Sequence, residues 1–151
     1  MLIKKLCPAV QKNTGTISEE LLETDELEER STIAVKASGI DKNGVFAARP
    51  IKRGEVVIKW CPKTLKDSEI AKVPASEKHY VCRSGKKHFL MQPPERFVNH
   101  SCEPNTRVEN CCDVAIKDIA KGEEITSDYA GCGSENFKCN CGSKNCRGIV
   151  N

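Results

Sequence analysis

Apolar and polar residues alternate along most of the chain in short runs, and glycine, proline or Asn/Asp clusters interrupt each run before it completes an ordinary helix. Alternation with period two turns one face of a strand toward a core and the other toward water, so the pattern predicts strands. The first covers residues 31–37. Gly39 and Asp41-Lys42-Asn43-Gly44 then predict a turn, and the chain returns through Val45, Phe46 and Ala47. A further strand is expected over 55–60, entered through Ile51-Lys52-Arg53-Gly54-Glu55. Nearly the same five residues recur as Ile119-Ala120-Lys121-Gly122-Glu123 before a strand over 125–129, which predicts glycine at positive φ in two matching connections. Residues 78–83 and 87–91 flank Ser84-Gly85-Lys86 as a hairpin, and 107–112 with 114–118 form a second. Residues 61–77, with Pro62 and Pro74, are expected to be irregular. With about seven or eight short strands and little helix, the expected fold class is mainly β.

Between the two hairpins lies Arg96-Phe97-Val98-Asn99-His100-Ser101-Cys102-Glu103-Pro104-Asn105. Its Asn-His-Ser-Cys centre suits neither a helix interior nor a central strand, because the short polar side chains compete for backbone groups and Pro104 donates no hydrogen bond. It predicts a loop framed by extended segments at 97–98 and 105–108, and loops held on a frame are where binding chemistry commonly sits. Taken alone, the run fits equally well an Asx-type turn that only satisfies backbone.

At 151 residues, 38% apolar and 30% charged, the chain has the size of one domain with one core. No apolar run approaches the ~20 residues of a membrane helix. The first 13 residues lack the apolar stretch of a secretory signal, so an intracellular location, cytoplasmic or nuclear, is expected. In that setting the ten cysteines are expected as metal ligands or thiols in preference to disulfides. Cys139, Cys141 and Cys146 follow a C-x-C-x4-C spacing around Gly142 that can wrap three corners of a tetrahedral zinc site, with Cys132 or Cys102 open for the fourth. At the other end, Thr16 and Glu19 resemble a capping box that opens an acidic stretch, a possible short helix, in which residues 18–30 hold seven acids against one base. The remainder carries 23 Lys and Arg against 14 acids, a net +9. Scattered lysines ordinarily form a solvated surface, so nucleic acid binding is not expected.

Four stretches in order, SGIDKNGVFAARPIKRGEVV from Ser38, RFVNHSCEPN from Arg96, GEEITSDYAG from Gly122 and CNCGSKNCRG from Cys139, resemble the motifs of SET-domain protein lysine methyltransferases with a cysteine-rich post-SET tail. The resemblance implies several small β-sheets with a knot-like carboxyl-terminal crossing. It divides the chain into a lead-in at 1–30, a SET domain at 31–131 and a zinc-binding tail at 132–151. It also implies S-adenosyl-L-methionine as methyl donor, S-adenosylhomocysteine as product, Zn²⁺ as structural ion, and a protein lysine, histone or nonhistone, as acceptor. The cofactor contacts it implies are Lys42, Asn43, Gly44, Tyr80, Arg96, Phe97, Asn99 and His100. Lys42 stands where the family commonly has glycine. The zinc ligands it implies are Cys102, Cys139, Cys141 and Cys146.

A lysine amine near pKa ~10.4 is mostly protonated and must lose its proton before it attacks in line. A desolvated channel favours the neutral amine, and oxygen atoms orient it. By resemblance Tyr129 is the catalytic tyrosine, although a tyrosine at a strand end is equally at home in a core. Ser127, two residues earlier, stands in the substrate channel where the family usually has Phe or Tyr. A serine there leaves a wide channel and the expectation of di- or trimethylation, unless Phe137 or Trp60 fills the gap. The alternative function is a noncatalytic zinc-stabilised SET-like module binding a peptide or nucleic acid. A zinc-ribbon nucleic-acid protein is disfavoured because a second close cysteine knuckle is missing.

Overall fold

The computed structural model describes residues 31–130 and 136–150. In chain order the strands are β1 (Ile33–Ala37), β2 (Asn43–Ala47), β3 (Val56–Lys59), β4 (Lys63–Leu65), β5 (Val81–Ser84), β6 (Lys87–Leu90), β7 (Asn99–His100), β8 (Thr106–Glu109), β9 (Cys112–Ala115), β10 (Glu124–Ser127), β11 (Phe137–Lys138) and β12 (Ile149–Val150). A single-turn helix, α1 (Asp67–Ile70), and 3-10 turns at Lys78–Tyr80 and Glu95–Phe97 complete the described elements.

These strands form four small sheets, as expected for a mainly β chain. The largest has the order β1-β2-β10-β7; β1 and β10 run antiparallel to β2, whereas β7 lies parallel to β10 with Thr126 opposite Asn99 and Ser127 opposite His100. The others are β3-β9-β8, β4-β6-β5 and the two-stranded β11-β12 clip. The central apolar cluster takes Val45 and Ala47 from β2, Val57 and Ile58 from β3, Ala115 from β9 and Ile125 from β10, joined by Ile51, Val98 and Ile119. Ile33, Trp60 and Phe97 close its margin.

The two repeated turns meet each other. Ile51 and Ile119, each 1% exposed, form an isolated antiparallel bridge in which each N–H donates to the other's carbonyl, at 2.9 and 2.8 Å. Gly54 and Gly122 have φ of 89° and 84°. In each turn the following glutamate reaches back: Glu55 accepts the Lys52 N–H at 2.6 Å and Glu123 the Ala120 N–H at 3.1 Å. One local sequence thus makes one local structure twice, and the bridge pins the two copies together.

The structure differs from the sequence expectation in four places. Residues 61–77 are not irregular throughout, since Leu65 buries against the sheet it joins as β4 and α1 follows. The second hairpin turns at Asn110-Cys111, both at positive φ (50° and 58°), not at Asp113. Two left-handed residues make a tight connection whose twist matches the strands. Asp113 therefore lies within β9. Residues 97–98 do not form the lead-in strand; a 3-10 turn ends at Phe97 and Asn99-His100 are themselves the strand. Tyr129 lies two residues beyond the end of β10. The acidic stretch before Ser31 lies outside the described residues.

Positive φ disfavours a side chain by roughly 1–2 kcal/mol. Gly54→Ala and Gly122→Ala are each expected to lower stability by about that amount in urea titration. Gly39→Ala, where an added Cβ meets nothing within 4 Å and φ is not left-handed, is expected to be near neutral.

Candidate functional site

The pairing of β10 with both β2 and β7 brings three sequence-distant segments to one side of the molecule, where they border a cleft of about 1210 Å³. Its lining comes from the 40–43 turn, from α1 and its exit at Asp67, Ile70, Ala71 and Ala75, from 78–81 with Arg96 and Phe97, from Asn99, His100 and Tyr129, and from 136–140. All eight residues expected to hold a cofactor fall in or beside this cleft: seven line it, and Gly44 is buried directly after Asn43.

One wall is the turn between β1 and β2, held from below by a polar knot. The Asn99 amide nitrogen lies 3.0 Å from the Asn43 carbonyl, 3.3 Å from that of Asp41, 3.1 Å from Ser38 Oγ and 2.9 Å from Glu124 Oε1. Ser38 Oγ donates to the same carboxylate oxygen at 2.7 Å. Glu124 sits so close to Gly44 that a Cβ there would lie 2.2 Å from Oε1. A side chain at 44 would therefore push the Glu124 carboxylate out of its bonds to Ser38 and Asn99. Lys42 occupies the left-handed region with φ of 38°, so this chain carries lysine where the backbone conformation favours glycine.

The second wall is aromatic and cationic. The Arg96 guanidinium lies 4.9 Å from the centre of the Tyr80 ring and 5.1 Å from that of Phe97, while its Nη1 lies 3.4 Å from Glu77. Arg96 Nε is buried and has no hydrogen-bond partner among the described residues. A buried donor left unpaired is costly, which makes it a natural point for an anionic group of a ligand.

The floor is a cluster of three rings. His100 and Tyr129 have centroids 5.5 Å apart, His100 and Phe137 5.4 Å, and Tyr129 and Phe137 6.1 Å. His100, 4% exposed, accepts the Tyr129 N–H on Nδ1 at 3.1 Å. Its Nε2 faces Cys102 Sγ at 3.4 Å. Burial lowers its pKa below the ordinary histidine value, against the pull of Asp128, so it is neutral at physiological pH. The Tyr129 hydroxyl donates to the Val98 carbonyl.

Behind His100 the four thiols of Cys102, Cys139, Cys141 and Cys146 converge, with all sulfur atoms within 4.8 Å of one another. A tetrahedral zinc ion with Zn–S of ~2.3 Å sets sulfurs about 3.8 Å apart, and Cys102 to Cys139 is 3.7 Å. The donor set thus fits Zn²⁺. Burial, reinforced by the neighbouring sulfurs, pushes the Cys139 thiol up to about 12, so four thiolates in this space call for a compensating cation. Arg147 contributes positive charge: its backbone N–H and Nε donate to Cys102 Sγ at 3.3 and 3.4 Å, and its Nη2 donates to Asp128 at 2.5 Å. Cys132, the other candidate fourth ligand, lies outside the described residues, as does Cys7. Cys61 is disulfide-bonded, contrary to the thiol expected there.

Ser127 is turned away from the cleft. It is 3% exposed; its hydroxyl lies 3.1 Å from Asp113 Oδ1 and 3.1 Å from Thr106 Oγ1. Asp113, 1% exposed, also accepts the Trp60 indole N–H at 2.6 Å, and burial raises its carboxyl pKa. Sequence reasoning missed this buried acid, and it missed Ser38 and Glu124 as supports of the 40–44 turn. Glu124 stands within the GEEIT motif, but its contact with Ser38 spans 86 residues and leaves no local signal.

The SET domain family profile matches residues 42–130. Histone-lysine N-methyltransferase ATX2 of Arabidopsis thaliana is 32% identical over 148 residues, covering 81% of this chain and 13% of that protein. Human histone-lysine N-methyltransferase 2B is 32% identical over 145 residues, covering 81% of this chain and 5% of that protein. The chain therefore spans only a small part of these relatives. The methyltransferase domain of human histone-lysine N-methyltransferase SETMAR superposes with a TM-score of 0.62 at 23% identity, over 79% of this chain and 57% of that one, which shows a shared fold. With its small sheets, its Asn-His strand parallel to β10 and the profile match over most of its described length, the chain belongs to the SET domain family.

Proposed function

We propose that this domain transfers a methyl group from S-adenosyl-L-methionine to the side-chain amine of a protein lysine. The observation that carries this reading is the convergence of Gly44, Arg96, Asn99, His100 and Tyr129, from three sequence-distant segments, around one cleft. When bound, the cofactor supplies an electrophilic methyl carbon on a sulfonium. The close backbone at Asn43 and Gly44 and the unpaired Arg96 Nε fit its amino-acid end, and the Tyr80 and Phe97 rings offer apolar walls. Tyr129 is the proposed catalytic residue. Its hydroxyl, with the Val98 carbonyl beside it, provides oxygen atoms that orient a neutral amine, and the ring cluster excludes water. The proposed domains are a SET domain at 31–131 and a zinc-binding tail at 132–151. The relatives' names make histone tails the first acceptors to test, and such an acceptor fits an intracellular protein. The noncatalytic alternative has no comparable support.

Radiolabelled methyl transfer into histones and into lysate, followed by mass spectrometry, tests the activity and reads the number of methyl groups added; because Ser127 faces Asp113 and not the cleft, it does not set that number. Tyr129→Phe is expected to lower the rate by ~10² to 10³ while calorimetric cofactor affinity stays nearly unchanged. Equal rates would remove Tyr129 from the chemistry.

Gly44→Ala forces Glu124 out of its place and is expected to weaken cofactor binding by about tenfold or more with zinc content intact. Unchanged affinity would mean that the 40–44 turn is no part of the cofactor site.

Cys102→Ser is expected to reduce bound zinc below one per chain and to loosen the β11-β12 clip in hydrogen exchange. Full zinc content in that variant, with loss in Cys132→Ser, would reassign the fourth ligand.

A further inference from the structure

The net charge is distributed very unevenly along the described chain. Residues 59–91 hold eight Lys and Arg against three acids, whereas 92–130 hold four against eight. All eight cations of the first segment are exposed, and none forms a salt bridge among the described residues. Of its three acids, Glu77 faces Arg96 outside the segment, Asp67 lies 3.4 Å from His88, and Glu69 accepts the Lys66 N–H at 2.8 Å. The fold then concentrates the cations. Arg83, Lys86 and Lys87 occupy the tip of the β5-β6 hairpin, where Gly85 takes φ of 60° and the Arg83 Nε is held on the Gly85 carbonyl at 3.0 Å. In β4, Leu65 pairs with His88, so the chain leaves that strand at Lys66 beside the same hairpin end. Lys63, Lys66 and Lys72 all act on the single carboxylate of Glu69. Lys59 lies in β3 and Lys78 lines the cleft, but the other six cations belong to β4, the flanks of α1 and the β5-β6 hairpin, where only Asp67 and Glu69 oppose them.

We propose that this end of the sheet, which adjoins the cleft through α1, is a docking surface for the phosphate backbone of duplex nucleic acid. Long, unpaired, solvated cations bind a polyanion by displacing its condensed counterions and need no apolar anchor. A protein partner would instead be held by desolvated anchor residues. The exposed large hydrophobics of the described chain, Val35, Val56, Val108 and Ile149, all lie outside residues 59–91. With no exposed large apolar side chain at the surface, contacts go to phosphates and carry no base sequence.

Fluorescence anisotropy of the full chain with a short labelled DNA duplex tests the assignment. Binding is expected at about 50 mM salt, with a loss of roughly a hundredfold by about 200 mM, the dependence of about three or four neutralised phosphates. R83E/K86E/K87E is expected to weaken binding by about tenfold or more and to flatten the salt dependence without moving the urea midpoint. K63E/K66E gives a second reading of the same surface should the hairpin variant lose its fold. K117E/K121E, in the acidic half, is expected to bind as the unmodified chain does. The proposal is overturned by absence of binding at low salt, by undiminished affinity in the first two variants, or by an equal loss in the third. Displacement of the duplex by a polyglutamate peptide at equal charge concentration would also overturn it, in favour of an acidic protein partner.

Discussion

Two residues of parallel pairing organise the molecule. Asn99 and His100 lie beside Thr126 and Ser127, the one strand pairing of β7 among the described residues. From it, Asn99 reaches one way to the turn between β1 and β2, and His100 reaches the other way to the backbone of Tyr129 and to Cys102. A parallel pair cannot be closed by a short hairpin and needs a long crossover. Here the connection from β7 to β10 contains the β8-β9 hairpin and the second repeated turn. The repeated turns answer that demand, because the Ile51–Ile119 bridge fixes the crossover against the start of β3 just before β10 begins.

The cysteine tail extends the same logic. Cys102 directly follows Ser101, whose N–H donates to the Ser127 carbonyl at 3.0 Å, so one sulfur ligand is anchored to the central sheet. The other three come from the carboxyl-terminal segment, which among the described residues has only the two-residue β11-β12 clip as regular structure of its own. The Arg147 contacts to Cys102 and Asp128 hold this segment, and a zinc ion on the four sulfurs would fix it further. Phe137 rides on this segment and completes the ring cluster over Tyr129. The four-thiol cluster and the floor of the cleft are therefore a single mechanical unit.

Much of this was legible in the residues, and the failures have physical causes. Glycine at 54 and 122 announced the two turns because a left-handed backbone has a strong residue preference. The C-x-C-x4-C spacing announced three members of the thiol cluster because tetrahedral ligation would constrain sequence locally. The turn at Asn110-Cys111 was misplaced since Cys111 gives no sign of its positive φ, whereas Asp113, a common turn residue, is paid for inside the core by Trp60 and Ser127. Ser127 was read from its neighbours in sequence as facing a channel. Its actual partners, Thr106 and Asp113, sit on strands of another sheet, and only the folded arrangement reveals that a small hydroxyl is needed there to satisfy a buried acid.

That buried acid has a thermodynamic consequence. Burial raises the Asp113 carboxyl pKa above its ordinary value near 3.8 in the folded protein, despite donors from Trp60 and Ser127. Between the ordinary value and the raised one, the folded chain binds a proton there that the unfolded chain has released. Folding in that window is accompanied by proton uptake, and stability declines as pH rises through it. The sign is opposite to that of Asp118, whose carboxyl pKa is lowered by Lys52 and by the Arg53 N–H. Mild acid thus acts in opposite directions on two carboxylates of one small domain, one in its core and one on its surface.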